Sequence, residues 1–303
     1  MPLPELESTD THVHAAFGLR YRSHLDWLPL PHTLSADSPF DVDVRIGDAP
    51  ATLPDAAVRM PYYDIAPGRA LLKAPDLADI LAEDGCRARI SPKPGADPMA
   101  ICNLLFGGVT GALLIQRGVL ALHGASVVTP GGAAVICGRP GAGKSTLSLA
   151  LSQRGIGYID DNIAALDAGF DVQPGVGFMR LTDFSRELFA LGDQAPGYTT
   201  PQGTKRLHTP ASLCTEPRRL RHVYLLDRSQ AALETPLLRE KRLDAIRANT
   251  FTAHLIHGLG ADHEQFRLAL ALAGAVSASV IGYPPGLAFE RWVDAVAGII
   301  ACR

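Results

Sequence analysis

The 303-residue chain has little charge and few aromatic rings: Asp, Glu, Lys and Arg make up 19% of it, and Phe, Trp and Tyr only 6%. Its formal net charge of −3 leaves no surplus of cations. That argues against a general nucleic-acid binder, whose affinity comes from neutralised phosphates, although a local basic patch stays open. The five cysteines (Cys86, Cys102, Cys137, Cys214 and Cys302) are scattered, odd in number and never spaced as Cys-x-x-Cys. Neither structural zinc nor a disulfide framework is expected, only buried reduced thiols. Long apolar runs are missing too. Ala100 to Ile115 and Leu268 to Gly282 are shorter than the roughly 20 residues needed to cross a bilayer, and both read as core. The start, Met1-Pro2-Leu3-Pro4-Glu5-Leu6-Glu7, carries acidic residues where a secretion signal would carry basic ones. The expected setting is therefore the cytoplasm, with no membrane contact. What is present is a globular composition, 47% hydrophobic, long enough for one large or two ordinary domains.

One stretch organises the rest. Gly138-Arg139-Pro140-Gly141-Ala142-Gly143-Lys144-Ser145-Thr146 fits the pattern G-x-x-x-x-G-K-[ST] at every fixed position. The apolar run Ala133 to Cys137 precedes it as a strand, and Thr146 to Leu151 follows as the start of a helix, with Leu147 and Leu151 on one face. In that setting Gly138, Gly141 and Gly143 let successive backbone N–H groups turn inward around phosphate oxygens, and Ala142 lies between them. The helix start adds partial positive charge. Lys144 is expected to reach the β- and γ-phosphates, Ser145 to ligate Mg²⁺, and Ala142 and Thr146 to belong with them to the nucleotide-binding set. The alternative is a glycine-rich surface turn. The motif in its strand–loop–helix context predicts nucleoside triphosphate binding, with ATP and Mg²⁺.

Residues 1–98 are proline-rich and read as short strands broken by turns. Phe40 to Ile46 alternates as a half-buried strand should, Leu71 to Ala82 suggests a short helix, and Cys86 to Ile90 suggests another strand. Ser91 to Pro98 holds three of the chain's 23 prolines and marks the expected boundary between a small N-terminal module (1–98) and a catalytic domain (99–303). A helix is expected from Pro98 to about Gln116. Val119 to Val128 should be a strand, with Thr129-Pro130-Gly131-Gly132 turning into the strand before the glycine loop. Ile156 to Asp161 is a strand ending in two carboxylates, and Val223 to Asp227 a further buried strand. Asp262 to Ala275 and Leu287 to Ile300 read as helices. The densest basic cluster, Arg218-Arg219-Leu220-Arg221-His222, reads as a solvated loop or an acidic-peptide contact. Gly203-Thr204-Lys205-Arg206 reads as a turn that faces water or touches phosphate.

Asp160 follows Lys144 after only one short helix, one turn and one strand, so the acidic strand directly succeeds the loop's helix. Neighbouring side chains at a strand end point to opposite sides. One carboxylate can therefore orient Mg²⁺ while the other accepts a proton. On these residues the chain resembles the catalytic domain of HPr kinase/phosphorylase and its relatives. The likeness lies in Leu122-His123-Gly124-Ala125-Ser126, the glycine loop, and Gln153-Arg154-Gly155-Ile156-Gly157-Tyr158-Ile159-Asp160-Asp161-Asn162. It is close over residues 117–167 and loose beyond. It implies an α/β fold with a P-loop core of HPr kinase or phosphoenolpyruvate carboxykinase type, and ATP-dependent transfer to a serine hydroxyl on a peptide or small protein. It also implies that His123 sits beside the phosphates, that Asp160 is the base and that Asp161 is the metal partner.

The Glu-Ile-Arg-Gly-Leu-Gly segment of the bifunctional enzymes is absent, and Phe178-Met179-Arg180-Leu181 lies in that region. The layout is more similar to HPr-kinase-related proteins that modify peptides, including kinases of lasso-peptide precursors. A small-molecule kinase with the same core, and a regulatory nucleotide-binding protein without transfer activity, stay open as alternatives. Homo-oligomerisation also stays open.

Overall fold

The computed structural model describes residues 10–25, 33–192, 195–200 and 203–303, so the acidic start at Met1 to Glu7 lies outside the described residues. The architecture is mixed α/β with several sheets, in two compact units: Met1–Val119 with Tyr198–Gln202 and Thr252–Gln265, and the rest of the chain.

The first unit is built on β1 (His12–Ala16), β2 (Leu19–Ser23), β3 (Thr33–Leu34), β4 (Val42–Ile46), β5 (Val58–Met60), β6 (Tyr63–Ala66), β7 (Arg69–Ala74), β8 (Ala78–Glu83) and β9 (Arg87–Pro92). They form one sheet in the order β3-β1-β2-β4-β9-β8-β7-β6-β5. Strand β4 follows its alternating pattern, with Val42 and Val44 buried and Arg45 exposed. The helix expected over 71–82 is instead the β7–β8 hairpin. Pro75 breaks any helix there, and Leu77 N–H closes the turn on Ala74 O at 3.0 Å.

The apolar helix does form, but in two pieces, α1 (Pro98–Leu104) and α2 (Thr110–Gln116), joined by a wide turn at Leu105–Val109. Phe106 and Gly107 leave helical geometry there, and Thr110 Oγ1 takes up the freed Leu105 carbonyl at 2.8 Å. A Cβ at Gly108 would lie 2.1 Å from Tyr63 Oη, so only glycine lets the turn approach β6. Pro98–Gln116 is long and apolar enough to cross a membrane by length and composition; in the fold, 67% of its most apolar window is buried. Packing therefore draws the line between units after Val119 rather than at residue 98. Gln116 clasps the β8–β9 corner, accepting from Gly85 N–H at 2.7 Å and donating to Ala82 O at 3.3 Å.

The remaining elements, in chain order, are β10 (Leu120–Thr129), β11 (Gly132–Cys137), α3 (Lys144–Gln153), β12 (Tyr158–Asp160), β13 (Ile163–Leu166), β14 (Asp171–Val172), β15 (Met179–Thr182), α4 (Asp183–Leu188), β16 (Gly197–Thr200), β17 (Gly203–His208), β18 (Arg218–Leu226), β19 (Glu234–Pro236), α5 (Arg239–Ala248), α6 (Asp262–Ala275), β20 (Ser277–Ile281) and α7 (Phe289–Ala301). Strands β10 and β11 form the expected hairpin, with Thr129 opposite Gly132. Parallel pairing then runs β11–β18–β20.

Helices cover both faces of these strands, so β11 is apolar throughout. Ala133, Val135 and Cys137 face the layer containing Leu272 of α6 and Ile246 of α5. Ala134 and Ile136 face the layer containing Leu147 and Leu151 of α3 and Trp292 and Val296 of α7. The basic cluster is not a loop: it opens β18, with Arg218, Arg219 and Arg221 exposed and Leu220 and His222 buried. Strand β20 emerges from a run that reads in sequence only as apolar core.

Candidate functional site

The glycine loop spans the gap between the end of β11 and the start of α3. Gly138, Gly141 and Gly143 have φ of +147°, +79° and +101°, values that residues with a Cβ rarely adopt. Gly138 is doubly constrained, because a Cβ there would lie 2.8 Å from Leu226 O of β18. Ala142 N–H closes the loop on Arg139 O at 3.1 Å. Lys144 Nζ folds back over the loop, donating to Gly138 O at 2.8 Å and Arg139 O at 3.4 Å. Burial lowers the Lys144 pKa from its ordinary value. No side chain caps α3, which leaves its first N–H groups to an anion or to water. Ser145 is half-buried in the first turn, and Thr146 Oγ1 shares a hydrogen bond with Ser185 Oγ at 2.9 Å.

The two carboxylates at the end of β12 meet different surroundings. Asp160 is wholly buried. Its Oδ1 accepts the N–H groups of Asn162 (2.8 Å) and Ile163 (2.9 Å), and its Oδ2 accepts that of Val176 at 3.3 Å. Gly175 lies against the same carboxyl, where a Cβ would be 2.1 Å from Oδ2. Burial pushes its pKa up to about 6 against the pull of the Arg180 cation, and the neighbouring Asp161 charge adds to the rise. Asp161 points the other way. It accepts Arg180 N–H at 2.9 Å and Arg180 Nη1 at 3.3 Å, and its charge acts on both Lys144 and His123.

The sequence reading gives the base role to Asp160. The structure encloses that carboxyl in a backbone cage, whereas the charge of Asp161 is felt at the lysine. The reason is the strand-end alternation itself, with the inward direction falling on the first aspartate.

His123 of β10 lies opposite Ile163, beside the carboxylate turn. Its Nδ1 donates to Asn162 O at 3.2 Å, which fixes the tautomer and leaves Nε2 as the acceptor. The ring stacks on Phe251 at 5.8 Å. Burial, and secondarily the Lys144 charge, hold the His123 pKa below its ordinary value, so the ring is neutral at neutral pH.

The residues that sequence reasoning passed over are Arg180, Asn162, Gly175 and Phe251. Two of them left a trace there: Asn162 ends the segment that carries the family resemblance, and Arg180 belongs to the segment standing where the family's motif is missing.

Among the described residues no group of three or more His, Cys, Asp or Glu side chains could hold a metal. Ser145 and Asp161 carry hard oxygen atoms, those of Asp161 accepting from Arg180 N–H and Nη1. Two hard oxygen donors suit Mg²⁺, which keeps most of its shell as phosphate and water oxygens.

The solved structure of the HPr(Ser) kinase/phosphatase from Coxiella burnetii is similar to this chain at 15% identity, covering 59% of this chain and 88% of that one, with a TM-score of 0.30. No protein-family model matches the chain, and no curated protein matches it.

Proposed function

We propose that this chain is an ATP-dependent phosphotransferase that passes the γ-phosphoryl group to a serine hydroxyl on a peptide or small protein. The observation that carries the reading is the arrangement at the end of β11: a loop with glycines at positive φ, Lys144 folded over it, the charge of Asp161, itself held by Arg180, acting on that lysine, and the charge of Lys144 acting on His123. Loop amides and the start of α3 hold the β- and γ-phosphates, and Lys144 exchanges its two loop carbonyls for phosphate oxygens. Mg²⁺, when bound, neutralises charge on the triphosphate, with Ser145 and Asp161 as the protein oxygens that would hold it. Arg180 keeps the Asp161 carboxylate in place. The proton of the attacking hydroxyl goes to Nε2 of neutral His123, whose tautomer Asn162 O has already set. Asp160 holds the β12–β13 turn from inside.

The acceptor class comes from the sequence resemblance over 117–167. A lasso-peptide precursor is one peptide of that class.

The test is transfer from γ-labelled ATP with Mg²⁺ to serine peptides, threonine peptides and small hydroxylated metabolites. Label on serine peptides is expected. Label only on small molecules would replace the acceptor class, and no label on any acceptor would leave a binding module. His123→Asn is expected to lower kcat by about 10²–10⁴-fold while ATP affinity holds.

A further inference from the structure

Strand β17 pairs antiparallel with β15 so that Lys205 lies opposite Thr182 and Arg206 opposite Leu181. Thr182 is the cap of α4. Its Oγ1 meets Ser185 Oγ at 3.2 Å, and Ser185 Oγ meets Thr146 Oγ1 at 2.9 Å. This chain of hydroxyls ties the strand position facing Lys205 to the first turn of α3, two residues from Lys144. Successive residues of a strand point to opposite faces. Arg206, next along, is engaged with Ala195 O at 3.3 Å and Asp183 at 3.9 Å. Lys205 is half-buried, and among the described residues its side chain has no ion-pair or hydrogen-bond partner. Its charge nevertheless reaches the loop, where it acts against the charged form of Lys144.

The charge balance at the loop is therefore uneven. Lys144 and Lys205 repel each other, and the nearby acid, Asp161, is already held by Arg180. Among the described residues neither lysine is in an ion pair, and two like charges in a partly buried place cost free energy unless an anion joins them.

We propose that Lys205 is a second cation for the terminal phosphates of the bound triphosphate, supplied by β17 in addition to the glycine loop's own lysine. This inference rests on the nucleotide reading of the loop. It predicts that the contact is made to the β- and γ-phosphates and is absent from a nucleoside monophosphate.

The test is titration of the full chain, with Mg²⁺ present, by a non-hydrolysable ATP analogue and by AMP. Lys205→Met, which keeps length and removes charge, should weaken the ATP analogue by about tenfold and leave AMP unchanged. Lys205→Arg should restore most of the loss. Arg206→Met, on the opposite face, should bind both as the wild type does. Wild-type affinity in Lys205→Met overturns the proposal and leaves the nucleotide reading intact. Equal loss in Lys205→Met and Arg206→Met also overturns it, since the effect is then not local to one face. A wild-type chain that binds no ATP analogue removes the nucleotide reading, and this proposal with it.

Discussion

Because successive residues at a strand end point to opposite sides, Asp160 and Asp161 are divided between the interior and the glycine loop. Three backbone N–H groups surround Asp160, and an amide in its place would set a donor against at least one of them. Asp160→Asn is therefore expected to cost about 1–3 kcal/mol of stability, because a buried donor is left facing a donor. Its transfer rate per folded molecule should stay close to the wild type, and thermal unfolding with single-turnover kinetics reads both quantities. Asp161→Asn should instead raise the Mg²⁺ concentration needed for half-maximal transfer by about tenfold or more, since it weakens a hard oxygen donor. A large kcat loss in Asp160→Asn with unchanged stability would return the base role to that residue. The adjacency of two acids at a strand end was legible in the sequence. Which of them faces inward was not, because the inward direction depends on Gly175 and Val176, far along the chain.

At the scale of elements, the loop tests the difference between strain and collision. Gly141 has φ of +79° and open space around its missing Cβ, whereas Gly138 also faces Leu226 O of β18. Gly141→Ala carries backbone strain of about 1 kcal/mol. Gly138→Ala adds a steric clash worth about 1–3 kcal/mol, and it must push the loop off β18. Denaturant titration should therefore rank Gly138→Ala below Gly141→Ala in stability, and ATP affinity should follow the same rank. Elements with strong local signals were legible: the alternating β4, the β10–β11 hairpin, the glycine loop, and α6 from Asp262 to Ala275. The β7–β8 hairpin was misread because Leu71, Leu72 and Ala82 suit either a helix face or a strand, and Pro75 carried the decisive information. Strand β20 was missed because pairing with β18 and β19, not its own pattern, makes it a strand.

For the whole molecule, acid sensitivity is set in part by His222 on β18. Its Nε2 shares a 3.0 Å hydrogen bond with Ser279 Oγ, and the ring lies against Tyr224. Burial, then the cations of Arg303 and Arg242 against the opposing Glu234, lower its pKa to about 4. The unfolded chain takes up this proton near pH 6.5, and the folded chain resists it until about pH 4. Stability is therefore intact above about pH 6.5 and falls as pH drops through that window, by up to about 3 kcal/mol. Urea unfolding of wild type and His222→Gln across pH 4–7 should show this limb in the wild type and flatten it in the variant. The two compact units themselves could not be read from composition, since the first draws on three separate stretches of the chain.

The central claim is that the backbone from Gly138 to Thr146 holds a triphosphate. Hydrogen–deuterium exchange of these amides, with and without Mg²⁺ and a non-hydrolysable ATP analogue, measures that claim directly. The account predicts marked slowing of exchange across Gly138–Thr146 with the triphosphate, much less with AMP, and loss of the effect in Lys144→Ala. Binding of the analogue with unchanged exchange in this loop, and protection elsewhere in the chain, would contradict it.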